Sequence, residues 1–231
     1  MKIILRITRS EGDGVSRDAD YALEVDPTAS ILDALLRVKD EQDGTLSFRR
    51  SCGHGVCGSD AMRIAGVERL ACKTLVRDVA AAENAVVTVA PLAHLPVQRD
   101  LMVDQERFFE RYRSVSPFLV ARAPAGPAET EQTPKERAAF DDATSCILCA
   151  SCWSACPVLD QDAAYLGPAA LVSAARFVFD SRDAGLPPRR AVLDDPHGAW
   201  GCENHFTCTR VCPREIKVTK NINALKRALK P

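Results

Sequence analysis

No stretch of this sequence approaches the ~20 consecutive apolar residues needed to cross a bilayer, so no membrane-spanning helix is expected. A net charge of −1 leaves no global basic field, which speaks against a nucleic-acid partner. The start, Met1-Lys-Ile-Ile-Leu-Arg6, places a charge early and has no cleavage signature, so it does not read as a secretion signal. The expected location is the cytoplasm or the cytoplasmic face of a membrane. With 46% hydrophobic and 26% charged residues among 231, the chain has material for two soluble domains with real cores.

Cysteine is not scarce. There are ten, bunched in three groups rather than spread as staples. Cytosolic thiols are kept reduced, which disfavours a disulfide framework. Structural zinc uses Cys-x2-Cys pairs, but zinc does not account for the densest group. That group is Cys146-Ile-Leu-Cys149-Ala-Ser-Cys152-Trp-Ser-Ala-Cys156-Pro157, a Cys-x2-Cys-x2-Cys-x3-Cys-Pro run of the kind that wraps an iron–sulfur cube. Three thiolates two residues apart converge on one cube. The fourth, carried away and followed by proline, ligates a second cluster in two-cluster ferredoxins.

The same ruler laid on Cys202-Glu-Asn-His205-Phe-Thr-Cys208-Thr-Arg-Val-Cys212-Pro213 finds one thiolate missing, with His205 at the second position. Under the crossover rule, Cys146, Cys149, Cys152 and Cys212 form a complete [4Fe–4S] set. Cys156, Cys202 and Cys208 supply only three ligands, which suits [3Fe–4S]. The alternative is a fourth iron held by His205.

The third group precedes these. Arg49-Arg-Ser-Cys52-Gly-His-Gly-Val-Cys57-Gly-Ser-Asp60, followed by Cys72, has the Cys-x4-Cys spacing of plant-type [2Fe–2S] ferredoxins, with Asp60 where the third cysteine belongs. Asp60 is either a carboxylate ligand or a nearby acid; carboxylate is the harder donor. Gly53, Gly55 and Gly58 allow backbone N–H groups to point at cluster sulfur. His54 reads as a surface residue or a neighbour of the ligands. Arg49 and Arg50 either offset cluster charge or are solvated.

Around the sites, Ile3, Leu5 and Ile7 alternate as a strand over 2–8, and Tyr21, Leu23 and Val25 repeat the pattern after the Glu11–Gly14 turn. Thr28 or Ser30 caps a helix carrying Ile31, Leu32, Leu35, Leu36 and Val38. Val86, Val87 and Val89 read as a closing strand. This is an α+β order. Residues 97–120 read as a helix, and about 121–133 as a surface connection. Thr133-Pro-Lys-Glu136 is a capping box leading to Cys146. A helix is expected from Gly167-Pro168 to about Arg182. Another is expected over Glu215–Leu229, with Thr219 capping its second half. The basic residues Lys217, Lys220, Lys226, Arg227 and Lys230 read as a solvated face, or a membrane-surface contact. The domains are placed at 1–98 and 99–231.

The motifs Ser-Cys52-Gly-His-Gly-Val-Cys57-Gly-Ser-Asp60, Arg69-Leu-Ala-Cys72-Lys, Cys146-Ile-Leu-Cys149-Ala-Ser-Cys152, Gly167-Pro-Ala-Ala, Phe179-Asp-Ser-Arg-Asp183 and Cys208-x3-Cys212-Pro together resemble the iron–sulfur subunit of succinate dehydrogenase/fumarate reductase. The resemblance runs nearly end to end. It implies a β-grasp [2Fe–2S] ferredoxin-like domain followed by an all-α helical ferredoxin-like domain, with [2Fe–2S] at Cys52, Cys57, Asp60 and Cys72 and the two other sets as counted above. It implies electron transfer from a FAD flavoprotein subunit to quinone beside a membrane-anchor subunit, on the cytoplasmic face of a bacterial inner membrane. The chain itself has no Gly-x-Gly-x-x-Gly, which fits a conductor rather than the site of succinate chemistry. The tryptophan after Cys-Pro and the histidine after the cysteine matching Cys202 that ubiquinone-type members often have are absent: Val158-Leu-Asp-Gln-Asp162 and Glu203 stand there. Pro157 and His205 are the expected quinone-proximal residues, and menaquinone is compatible. The same conductor serves fumarate reduction, and a soluble multi-cluster carrier is the alternative class.

Overall fold

The computed structural model describes residues 1–121 and 130–230; most of the expected 121–133 connection lies outside the described residues. Two compact units are present: Met1–Gln105 with Ile147–Ala155, and Glu106–Cys146 with Cys156–Pro231. The first therefore runs past the boundary expected after residue 98 and takes in part of the densest cysteine run.

In the first unit, alternating apolar residues build a mixed sheet. Strands β1 (Lys2–Ser10) and β2 (Ser16–Glu24) form the hairpin, longer than the residues that suggested it. β3 (Ala61–Ile64) and β4 (Val67–Leu70) form a second hairpin, turned at Ala65 and Gly66, both with positive φ. Two consecutive positive φ values match the right-handed strand twist. β5 (Ala85–Ala90) runs parallel to β1 and antiparallel to β3, giving the order β2-β1-β5-β3-β4. Ile3, Leu5 and Ile7 are buried against Ile31, Leu35 and Val38 of the covering helix Ile31–Arg37 and its extension. Ser30, not Thr28, caps that helix: its Oγ accepts from Asp33 N at 3.1 Å, and Asp33 Oδ2 accepts from Ser30 N at 2.9 Å.

The helix expected over 97–120 is a correction. Residues 97–103 form a two-stranded ribbon, β6 (Val97–Arg99) with β7 (Met102–Val103), and the helix spans only Glu106–Ser114. Asp100 is the cause. Its side chain is buried and accepts from Arg9 Nε (2.8 Å), Ser10 N (3.1 Å) and Ser47 N (2.8 Å). These long-range bonds override local helix preference.

Ile147–Ala155 is fastened to the first unit by its own side chains. Trp153, 1% exposed, donates Nε1–H to His94 O. Ser154 Oγ donates to Glu68 Oε1 and accepts from Ala93 N, both at 2.8 Å.

The second unit is helical. Pro168–Val178 is buried through Ala175 and ends four residues before Arg182. Asp180 turns the chain there instead, accepting from Arg176 and Arg182. Val218–Leu229 packs on that helix through Val218, Ile222, Leu225 and Leu229. Its start is held from outside, correcting the expected role of Thr219: Asp142 Oδ2 accepts from Lys217 N (3.0 Å), and Thr209 Oγ1 accepts from Thr219 N (3.0 Å). The capping box at Thr133 is present and begins a short helix, Pro134–Ala138, followed by Asp141–Thr144. Thr133→Ala removes one reciprocal cap and is expected to lower stability by about 1 kcal/mol, measured as a shift in the urea unfolding midpoint; an unchanged midpoint would show the cap to be idle.

Candidate metal centres

The first cysteine group lies on the irregular segment between the Ile31–Arg37 helix region and β3. Its backbone is folded around the thiols. His54 N and Cys57 N each donate to Cys52 Sγ at 3.3 Å, and Ser59 Oγ lies 3.1 Å from Cys57 Sγ. The His54 and Val56 amides, in that order, then the Cys57 side chain, pull the Cys52 thiol down to about 6. The β3–β4 hairpin returns the chain so that Asp60, before β3, meets Cys72, after β4. Asp60 is 2% exposed; its Oδ2 accepts from Cys72 N at 2.6 Å, and its Oδ1 is buried with no partner. A buried acceptor without a donor is rare, and an oxygen so placed fits a metal-ligand role. Burial, then the Asp60 carboxylate, pushes the Cys72 thiol up to about 12.

Gly58 has φ +70, and a Cβ built there would sit 2.7 Å from Cys149 Cβ. The first cysteine loop therefore abuts the densest run inside the first unit. Cys149 and Cys152 belong to that unit, whereas Cys146 and Cys212 belong to the second.

The backbone repeats between the two C-terminal groups. Leu148 and Ala150, flanking Cys149, have φ of 53 and 63; Asn204 and Phe206, flanking His205, have φ of 62 and 63. A four-residue helix follows each, Ser151–Ser154 and Thr207–Arg210. His205 thus occupies the backbone position of Cys149. Its ring is exposed and its Nε2 lies 2.9 Å from Glu203 Oε2.

Cys156, Cys202 and Cys208 line one small cavity in the second unit, with Pro157 and His205 also on its wall. Burial pushes Cys156 up to about 11, with Cys208 and Cys202 adding to it, and also raises Cys208. Among the described residues, no three His, Cys, Asp or Glu side chains surround a single-ion position; a cluster spreads its ligands around several irons.

Family models match both halves: a 2Fe-2S iron-sulfur cluster binding domain over residues 3–110 and a 4Fe-4S dicluster domain over 142–216. The fumarate reductase iron-sulfur subunit of Mycobacterium tuberculosis (strain CDC 1551 / Oshkosh) is 40% identical across 100% of this chain and 97% of its own length. The succinate dehydrogenase iron-sulfur subunit of Paracoccus denitrificans is 39% identical over 85% of this chain and 74% of that protein. The chain belongs to the succinate dehydrogenase/fumarate reductase iron–sulfur subunit family. A chain of the Mycobacterium smegmatis Sdh1 complex in the apo form superposes with a TM-score of 0.90 at 29% identity, covering 99% of this chain and 95% of that one.

For an iron–sulfur subunit, three side chains beside the Cys156–Cys202–Cys208 cavity were not singled out as site residues by spacing. Thr219 Oγ1 lies 3.6 Å from Cys208 Sγ. Lys226, expected on a solvated face, is half-buried and donates Nζ–H to Cys202 O at 2.6 Å. Tyr165 is buried and lines the cavity; burial, then the surrounding thiols, hold its hydroxyl well above the usual phenol range. The only sequence signal for the two polar helix residues was their place on the inward side of an amphipathic helix.

Proposed function

We propose that the chain is the electron-transfer subunit of a membrane-bound succinate dehydrogenase complex, carrying electrons from a FAD-containing flavoprotein subunit to quinone beside membrane-anchor subunits. Full-length similarity to iron–sulfur subunits, joined to three separate cysteine groups, carries this reading. The first domain is a β-grasp ferredoxin-like fold and the second an all-α helical ferredoxin-like fold. Cys52, Cys57, Asp60 and Cys72 hold [2Fe–2S]; the unpartnered Asp60 oxygen supports carboxylate ligation. Cys146, Cys149, Cys152 and Cys212 hold [4Fe–4S]. Cys156, Cys202 and Cys208 hold [3Fe–4S], supported by their shared cavity and by His205 standing where a fourth thiolate belongs. Pro157 and His205 stand nearest quinone, with menaquinone as a compatible carrier.

The clusters supply one-electron redox chemistry when bound. The chain's own work is to fix their ligands, donate hydrogen bonds to sulfur and exclude water. Among the described residues no helix is long and apolar enough to cross a membrane. Attachment at the cytoplasmic face falls to the anchor subunits. The M. tuberculosis relative is named a fumarate reductase subunit, which keeps the reverse direction as the second reading.

Purification of the native complex tests this. Co-purifying flavoprotein and three distinct EPR signals are expected; a flavin-free monomer active as a carrier would overturn it. The ratio of succinate oxidation to fumarate reduction sets the direction. Asp60→Cys is expected to change the [2Fe–2S] EPR spectrum or midpoint potential, because thiolate is the softer donor. An identical spectrum and potential would remove Asp60 from the ligand set.

A further inference from the structure

Lys73 follows the last cysteine of the first group and has no part in the ligand count, yet a glycine is kept clear for it. The backbone on either side is pinned. Cys72 N donates to Asp60 Oδ2 at 2.6 Å, and Thr74 O accepts from Ile31 N at 2.8 Å. Thr74 is itself buried, with Oγ1 donating to Leu70 O at 2.9 Å. The Lys73 side chain therefore leaves from a fixed point, and it crosses the Cys52–Cys57 loop near its middle. A Cβ built on Gly55 would stand 2.7 Å from Lys73 Cγ, 2.8 Å from Cδ and 3.5 Å from Cε. Gly53, in the same loop and also at positive φ, has nothing within 4 Å of a built Cβ, so the contact is particular to Gly55. Lys73 is exposed as a whole, which leaves its ammonium in water while the stem packs. Arg49, a cation the sequence offered for this loop, donates instead to Gln98 Oε1 at 3.2 Å.

We infer that Lys73 lays its stem across Gly55 to hold its ammonium beside the first cysteine loop, where the charge raises the reduction potential of the cluster held by Cys52, Cys57, Asp60 and Cys72. The inference rests on the ligand set proposed above. All four ligands are anionic when bound, and reduction adds one more negative charge to the same small volume. A cation held nearby stabilises the reduced form more than the oxidised one, because the attraction grows with the charge it faces. Water around the ammonium screens the effect, so it is modest: about threefold in the ratio of reduced to oxidised cluster. The glycine at position 55 serves this arrangement as well as the loop's turn, since any side chain there would lift the stem away.

Redox titration of the [2Fe–2S] EPR signal in the purified complex tests it. Lys73→Met keeps an unbranched stem and deletes the charge. The reduced-to-oxidised ratio at fixed ambient potential is expected to fall about threefold, which is roughly 28 mV downward for a one-electron couple. Lys73→Glu reverses the charge and is expected to double that shift, a fall of about ninefold. Lys73→Arg keeps the charge and is expected to hold the potential. Lys73→Gln, polar and uncharged, takes the place of Lys73→Met if the latter fails to assemble. An unmoved potential in the uncharged variant overturns the inference. An equal fall in Lys73→Arg also overturns it, because the effect would then come from packing on Gly55 and not from charge. Absence of a [2Fe–2S] signal from the unsubstituted complex would instead defeat the ligand assignment.

Discussion

Gly58→Val is expected to unfold the first cysteine loop and leave the purified chain short of iron. Two costs combine. A side chain at φ +70 is strained, by about 1–2 kcal/mol for an ordinary residue. The added carbon also enters space already taken, 2.7 Å from Cys149 Cβ, 3.0 Å from Cys149 Cα and 3.1 Å from Ile147 O. Two of those three atoms are backbone and the third is a Cβ bonded to it, so none can swing aside and overpacking adds about 1–3 kcal/mol. Gly14→Val separates the two. Gly14 has φ +83 but nothing within 4 Å of a built Cβ, so it suffers the strain alone. Thermal unfolding, with iron and acid-labile sulfide per polypeptide, is the measurement. Gly58→Val should lose more stability than Gly14→Val, and it alone should lose iron. Equal losses, or full iron in Gly58→Val, would mean that the two cysteine loops tolerate separation.

Arg189→Met is expected to produce the largest fall in stability in the second unit. The Arg189 and Asp183 side chains are 0% and 1% exposed and pair at 2.6 Å. The guanidinium also donates to the carbonyls of Val115, Ser116 and Phe118, fastening the chain before the second unit's longer helices. Gly185 is glycine for lack of space: a Cβ there would collide with the guanidinium. Removing the arginine strands a buried carboxylate, which costs about 3–5 kcal/mol. For a chain of this size that is a melting temperature lower by roughly 6–20 °C. Asp183→Leu added to Arg189→Met removes the stranded charge and should recover part of the loss. A double variant no better than the single one would locate the cost in the lost carbonyl contacts instead.

These two sites show where sequence legibility stops. The β1–β2 hairpin was readable because each inward residue obeys a period of two, and the Ser30 helix because its cap and apolar face are local. The two cluster-binding domains were readable because a cluster demands cysteines at fixed spacing. Asp183 stood inside a motif that carried family resemblance, but nothing local told that its partner was Arg189 in the run Leu186-Pro-Pro-Arg189-Arg190. Asp100 misled for the same reason: its neighbours have helix-compatible spacing, while its partners Arg9 and Ser10 are ninety residues away. Tyr165 was invisible as a site residue because a single tyrosine has no pattern. The attachment of Ile147–Ala155 to the first unit depends on Trp153 and Ser154, which looked like ligand spacers.

The parallel pairing of β1 with β5 sets an order of assembly. Ile3 lies opposite Ala85 and Ile7 opposite Val89, so the sheet's central pair joins the first strand made to the last. On a ribosome, the β1–β2 hairpin emerges early, yet it has no central neighbour until β5 is synthesised. Such long-range closure is slow relative to local pairing. Cys52, Cys57 and Cys72 all lie in the segment enclosed by that closure and are translated before it. Their thiols therefore pass through a stage without the sheet that later supports their loop. Iron delivered during that stage would meet an open peptide; iron delivered after β5 docks would meet the converged Cys52, Asp60 and Cys72 side chains. The topology leaves those cysteines without their supporting sheet until β5 has been made.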